Sequence, residues 1–121
     1  MREYMNMDKE TVVRPWGHFT NLARGEGFLV KIIHVNPGQR LSVQSHNYRS
    51  EHWYAVKGNP TVQLRDETFV LNENGSIDIP VKAVHSLQNP SDKAIEIIEI
   101  QRGNTISEDD IIRYKDIYGR A

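Results

Sequence analysis

Turn signals cut this chain into short runs of β-branched and aromatic residues, and that punctuation leaves few folds open. Asn36-Pro37-Gly38, Gly58-Asn59-Pro60, Arg65-Asp66, Asn72 to Gly75 and Asn89-Pro90 all fall between apolar runs. These residue types supply the preset or positive φ that tight turns need. The runs between them predict eight strands: Phe28 to Val35, Leu41 to His46, Glu51 to Lys57, Thr61 to Leu64, Glu67 to Leu71, Ser76 to Ile79, His85 to Gln88 and Ala94 to Gln101. Turn signals about 8–12 residues apart point to an all-β barrel or sandwich. After Gly103, Ser107-Glu108-Asp109-Asp110 reads as a helix N-cap with an acidic first turn, followed by Ile111, Ile112, Tyr114 and Ile117. That pattern predicts a short C-terminal helix on the outside of the barrel.

With 121 residues the chain has room for one core and little more. No apolar run approaches the roughly 18 residues of a membrane span. The opening MREYMNMDKE is polar, which fits neither a signal peptide nor an anchor and makes the cytoplasm the expected compartment. A net charge of −1 with scattered Lys and Arg argues against nucleic acid as a partner. The absence of cysteine removes disulfides, thiolate nucleophiles and thiolate metal sites, so any metal must be held by imidazole, carboxylate or amide groups.

Such groups cluster between Gly38 and Gly58, in GQRLSVQSHNYRSEHWYAVKG. Residues two apart on a strand share a face, so Gln44 and His46 can aim at one point inside a barrel. Glu51 opens the next strand, and His85 opens a later one just after Pro80. Together the four can surround one ion. A lone strand histidine is more often a packed core or surface residue, and His18 and His34 are read that way. Imidazole, carboxylate and amide donors suit Zn²⁺, the first expectation, and also Mn²⁺, Co²⁺, Ni²⁺ or Fe²⁺.

The same residues carry a resemblance. Gly38, Gln44, His46, Glu51 and Gly58 fall in register with the first cupin motif, with Gln44 where its first histidine stands; Gly75, Pro80, His85 and Asn89 approximate the second. More specifically, the chain resembles the isomerase domain of type II phosphomannose isomerases, which usually follows a mannose-1-phosphate guanylyltransferase domain. Arg14-Pro15-Trp16-Gly17 resembles that domain's RPWG, QSHNYRSEHW its QMHHHRAEHW, IPVKAVHSLQNP its IPLGTVHRLENP, and EDDIIRYKDIYGR its EDDIVRFEDRYGR. The likeness runs from about Arg14 to Arg120. Two departures stand out: Asn47-Tyr48 replaces a His-His pair, and Ser86 replaces an arginine.

The resemblance implies a small cupin, a double-stranded β-helix, over residues 14–121 behind an N-terminal extension of residues 1–13. The family has glutamine at the Gln44 position, so Gln44, His46, Glu51 and His85 carry over as metal ligands. The implied reaction interconverts mannose 6-phosphate and fructose 6-phosphate through a cis-enediolate, serving mannose, GDP-mannose and polysaccharide metabolism. Arg49, inside the ligand loop, is the expected catalytic and phosphate-binding residue, because guanidinium pairs bidentately with such oxygens. Lys82, beside His85, is a second phosphate candidate. His52 should face away from Glu51, and Trp53 should pack in the core. By analogy with other small cupins a homodimer is expected. The alternative is a non-catalytic sugar- or metal-binding cupin accompanying a separate guanylyltransferase.

Overall fold

A computed structural model describes the backbone of Met5–Asn6 and the whole of residues 10–121. Among the described residues it contains strands and no helix, so none is long and apolar enough to cross a membrane. The strands are β1 (Met5–Asn6), β2 (Thr11–Arg14), β3 (Gly17–Gly25), β4 (Phe28–Val35), β5 (Val43–Ser45), β6 (Ser50–Lys57), β7 (Thr61–Leu64), β8 (Glu67–Val70), β9 (Ser76–Ile79), β10 (His85–Gln88), β11 (Ile95–Arg102) and β12 (Ile112–Lys115). They form two antiparallel sheets. One has the order β1-β3-β4-β11-β6-β9 with β2 also on β3, and the other β12-β5-β10-β7-β8. The expected extension, residues 1–13, lies partly outside the described residues, and β2 pairs with β3 from Thr11 onward.

All eight expected strands form, with ends shifted by a residue or two. β3 was not expected because GHFTNLARG lacks an alternating apolar pattern: Phe19 is its one buried large apolar residue, and the register slips between Asn21 and Ala23.

The expected C-terminal helix is corrected by the structure. Ser107–Asp110 makes a single turn, in which the Asp110 amide donates to the Ser107 carbonyl at 3.1 Å and the Asp109 amide to Ser107 Oγ at 3.1 Å. The chain then runs into β12, where Ile112 pairs with Ser45 and Arg113 with Gln44. A serine hydroxyl bonding the amide two residues on serves a turn as well as a helix cap. An isolated short helix is marginal in water, whereas β5 offers a ladder edge that the β-branched Ile111-Ile112 pair suits.

Cross-strand rows explain where the site lies. On β4, β11 and β6 the inward side chains form successive rows: Ile33, Ile97 and Ala55; then Lys31, Glu99 and Trp53; then Leu29, Gln101 and Glu51. The first row belongs to the apolar core with Val35, Val62, Leu87 and Ile95. One row further on, the same inward face carries buried charge.

The RPWG segment is the hairpin joining β2 to β3. Arg14 pairs with Gly17 across Pro15 and a buried Trp16. Gly17 has φ +153, and a Cβ there would lie 2.0 Å from the backbone oxygen of His34. The backbone cannot yield without breaking the β3–β4 ladder. Gly17→Ala is therefore expected to lower the unfolding free energy by at least about 2 kcal/mol, measured by urea denaturation; a loss below about 0.5 kcal/mol would show that the hairpin absorbs the clash.

Candidate metal centre

Glu51 is the centre of the polar end of the cavity. It is the second residue of β6, is 3% exposed, and pairs with Gln101 on one side and Ile79 of β9 on the other. Its Oε2 accepts from Arg49 Nε at 2.9 Å and its Oε1 from Trp53 Nε1 at 3.0 Å. His46 Nε2 stands 3.2 Å from Oε2, and His85 Nε2 stands 3.7 Å from Oε1. His46, Glu51 and His85, all buried, bring their ligand atoms within 4.8 Å of one another.

The far nitrogen of each ring is fixed by backbone. His46 Nδ1 donates to the Asp110 carbonyl at 2.7 Å, and His85 Nδ1 to the Ala83 carbonyl at 2.9 Å. In the neutral imidazole the proton then sits on Nδ1 and Nε2 carries a lone pair. Burial, with Arg49 in support, pushes His46 down to about 4, and burial likewise lowers His85. Both are therefore neutral near pH 7, and the short His46–Glu51 approach is not an ion pair. His85 Nε2 has no hydrogen-bond partner although it is fully buried. His46 Nε2 has only a long 3.4 Å contact from Arg49 Nη2, so two imidazole lone pairs converge on one carboxylate, and this donor set fits a divalent transition metal.

Gln44 of β5 pairs with His85 on one side and Arg113 on the other, and its buried side chain lines the same cavity as His46 and Glu51. Arg49 is only 6% exposed: it bonds Glu51, donates Nη1 to the Ser107 carbonyl at 2.9 Å and places Nη2 3.4 Å from His46 Nε2. Lys82 lies elsewhere. It is exposed at φ +68 and does not line the cavity, while its amide donates to the His46 carbonyl at 2.8 Å. His52 faces outward to Asp78 at 2.6 Å.

The departures from the resembled motif also lie off the cavity. Asn47 and Tyr48 are exposed, and their amides donate to the Asp110 carboxylate at 2.8 and 3.0 Å. Buried Ser86 lines a separate hollow near Tyr114.

Residues 2–116 match the family described as mannose-6-phosphate isomerase C-terminal. The chain belongs to that family. Among curated relatives, the alginate biosynthesis protein AlgA of Pseudomonas aeruginosa is 50% identical over 91% of this chain and 23% of its own length. The mannose-1-phosphate guanylyltransferase ManC of Salmonella typhimurium is 44% identical over 99% of this chain and 25% of its own. The chain thus spans about a quarter of the length of these relatives. Among solved structures, an RmlC-like cupin from Shewanella frigidimarina superposes with a TM-score of 0.72 at 18% identity, covering 84% of this chain and 88% of that one. That likeness establishes the cupin fold.

In this family member several cavity residues escaped sequence reasoning. The cavity, about 380 Å³, is also lined by Arg14, Lys31, Glu99, Glu108 and Arg113. Trp53 proves more than core packing: its Nε1 donates to Glu99 Oε1 at 2.9 Å as well as to Glu51, and its ring meets His85 edge-on at 5.5 Å. Glu99 is 5% exposed and accepts from Gln101 Nε2 at 2.9 Å. Burial and the neighbouring Glu51 push its carboxyl up to about 7, against the pull of Lys31 and Arg49. Its signal was the alternation of β11, where Ile95, Ile97, Glu99 and Gln101 share the buried face.

The raised Glu99 carboxyl has a signed consequence for the chelator-treated protein. Below its ordinary value of 4.5 it is protonated folded or unfolded and its stabilisation is complete; that contribution is lost as pH rises through about 7. The difference corresponds to at most ~3 kcal/mol. Glu99→Gln should remove this slope, so its stability relative to wild type should climb between pH 4.5 and pH 8. Paired denaturation curves of the two proteins across that range test it; a constant difference would contradict the raised carboxyl.

Proposed function

We propose that this domain is a metal-dependent sugar-phosphate isomerase that interconverts mannose 6-phosphate and fructose 6-phosphate. The observation that carries the reading is the convergence of His46 Nε2, His85 Nε2 and the Glu51 carboxylate, with both Nδ1 atoms tied to backbone. Gln44 completes the ligand set from β5. Family membership supplies the reaction class, and the placement of Asn47, Tyr48 and Ser86 away from the cavity lining supports an intact site.

A bound divalent cation, Zn²⁺ first and Mn²⁺, Co²⁺, Ni²⁺ or Fe²⁺ as alternatives, supplies Lewis-acid charge beside the sugar carbonyl. The chain's residues do the rest. Arg49 holds Glu51 in place and presents its guanidinium to negative charge developing on the sugar oxygens. Glu99, buried and held by Trp53 and Gln101, accepts and returns the proton moved between C1 and C2 at its carboxylate oxygens. The reading extends to a cytoplasmic homodimer with a role in mannose and polysaccharide metabolism, in keeping with relatives named for alginate biosynthesis.

A second reading is a sugar- or metal-binding cupin without catalysis that accompanies a separate mannose-1-phosphate guanylyltransferase. It draws on the relatives bearing that name, of whose length the chain covers only about a quarter. A coupled assay on mannose 6-phosphate with Zn²⁺, Mn²⁺ or Co²⁺ separates the two. Turnover is expected, and Glu99→Gln should lower kcat by about 100-fold or more while metal content stays unchanged. Folded, metal-loaded protein that turns nothing over would favour the second reading.

A further inference from the structure

Lys31 is a buried cation with an unusual partner. It projects from the middle of β4, its side chain is 4% exposed, and its Nζ meets Glu108 Oε2 at 2.8 Å. Glu108 is 77 residues away in sequence, on the segment between β11 and β12, and its side chain is 53% exposed. The pair is therefore asymmetric. The carboxylate can turn out into water at little cost, whereas the ammonium cannot follow it and would be left buried with only the Glu99 carboxyl across the ladder, whose own ionisation burial opposes.

Other cations surround the same spot. Arg14 lines the cavity, and its guanidinium lies 5.3 Å from the centre of the Phe19 ring, on which Lys31 Nζ also sits at 4.1 Å. One buried ring thus holds both cations. Although burial works to raise the Glu108 carboxyl, Lys31 holds it below its ordinary value, with Arg49 and Arg14 contributing. The segment is pinned on either side of Glu108, by Arg49 on the Ser107 carbonyl and by His46 on the Asp110 carbonyl. The Glu108 side chain can swing while that backbone stays anchored.

We propose that Lys31 and Arg14 form the subsite for a phosphate monoester, and that Glu108 is its built-in occupant, an internal anion that the ligand's phosphate displaces. The identification of the ligand as a sugar phosphate rests on the isomerase reading; the anion site itself does not. A phosphate monoester carries about −1.5 to −2 charge at pH 7 and three acceptor oxygens. It is a stronger partner for this cation pair than one carboxylate, so displacement is favoured. Lys31 pairs across the ladder with Glu99, next to the Trp53 and Glu51 strand, so a phosphate there leaves the sugar facing the metal centre.

Calorimetric titration of the full chain with inorganic phosphate and, separately, with mannose 6-phosphate tests this, using chelator-treated protein so that no metal can capture the anion. Glu108→Gln should tighten both ligands about fivefold or more, and Lys31→Met and Arg14→Gln should each weaken both about tenfold. Should Lys31→Met fail to fold, Glu108→Gln and Arg14→Gln carry the same test. Weaker or unchanged phosphate binding in Glu108→Gln overturns the proposal, as does unchanged binding in Arg14→Gln. Tightening for inorganic phosphate but not for mannose 6-phosphate also overturns it. Absence of isomerase turnover alongside the expected titrations would count against the isomerase reading alone.

Discussion

The Glu51 carboxylate is the point on which the polar half of the molecule depends. Each oxygen is held by one donor, Arg49 on one and Trp53 on the other, and each faces an imidazole Nε2. A buried carboxylate is expensive unless its oxygens are satisfied, and here the groups that satisfy it are themselves fixed. Arg49 is braced by the Ser107 carbonyl, and Trp53 is shared with Glu99. The histidine rings are locked from behind by Asp110 and Ala83 carbonyls. A cation placed among these atoms would relieve the repulsion between the imidazole lone pairs and the carboxylate.

The segment between β11 and β12 links this centre to the rest of the fold. It supplies backbone carbonyls to Arg49 and His46, the Asp110 carboxylate to the ligand loop at Asn47 and Tyr48, and Glu108 to Lys31. It then continues as β12 beside Gln44. A free helix would have left those carbonyls inside its own ladder. The strand ending and the metal centre are thus parts of one arrangement, since His46 keeps its tautomer only while Asp110 offers its carbonyl.

Much of this was legible in the residues. Turn chemistry located all eight expected strands, ligand spacing and the cupin resemblance singled out His46, Glu51 and His85, whose ligand atoms lie together, and strand alternation sent His52 outward. What escaped notice depends on tertiary pairing. Lys31 and Glu99 sit on strands whose other inward residues are Leu29, Ile33, Val35, Ile95, Ile97 and Gln101. Their charge looks out of place until β4 and β11 are paired and the two side chains become cross-strand neighbours. Lys82 misled for the opposite reason: closeness in sequence to His85 does not bring its side chain in, because a left-handed turn at φ +68 carries it outside. The helix reading of the C-terminus failed because Ser107 chemistry and an Ile-Ile pair serve a turn and an edge strand equally well.

The most direct measurement is an anomalous difference map at the metal absorption edge, from crystals grown with Zn²⁺ or Co²⁺. One peak is expected about 2.0–2.2 Å from His46 Nε2, His85 Nε2 and a Glu51 oxygen, with Gln44 turned toward it. A peak at another site, or none among these residues at saturating metal, would contradict the metal centre.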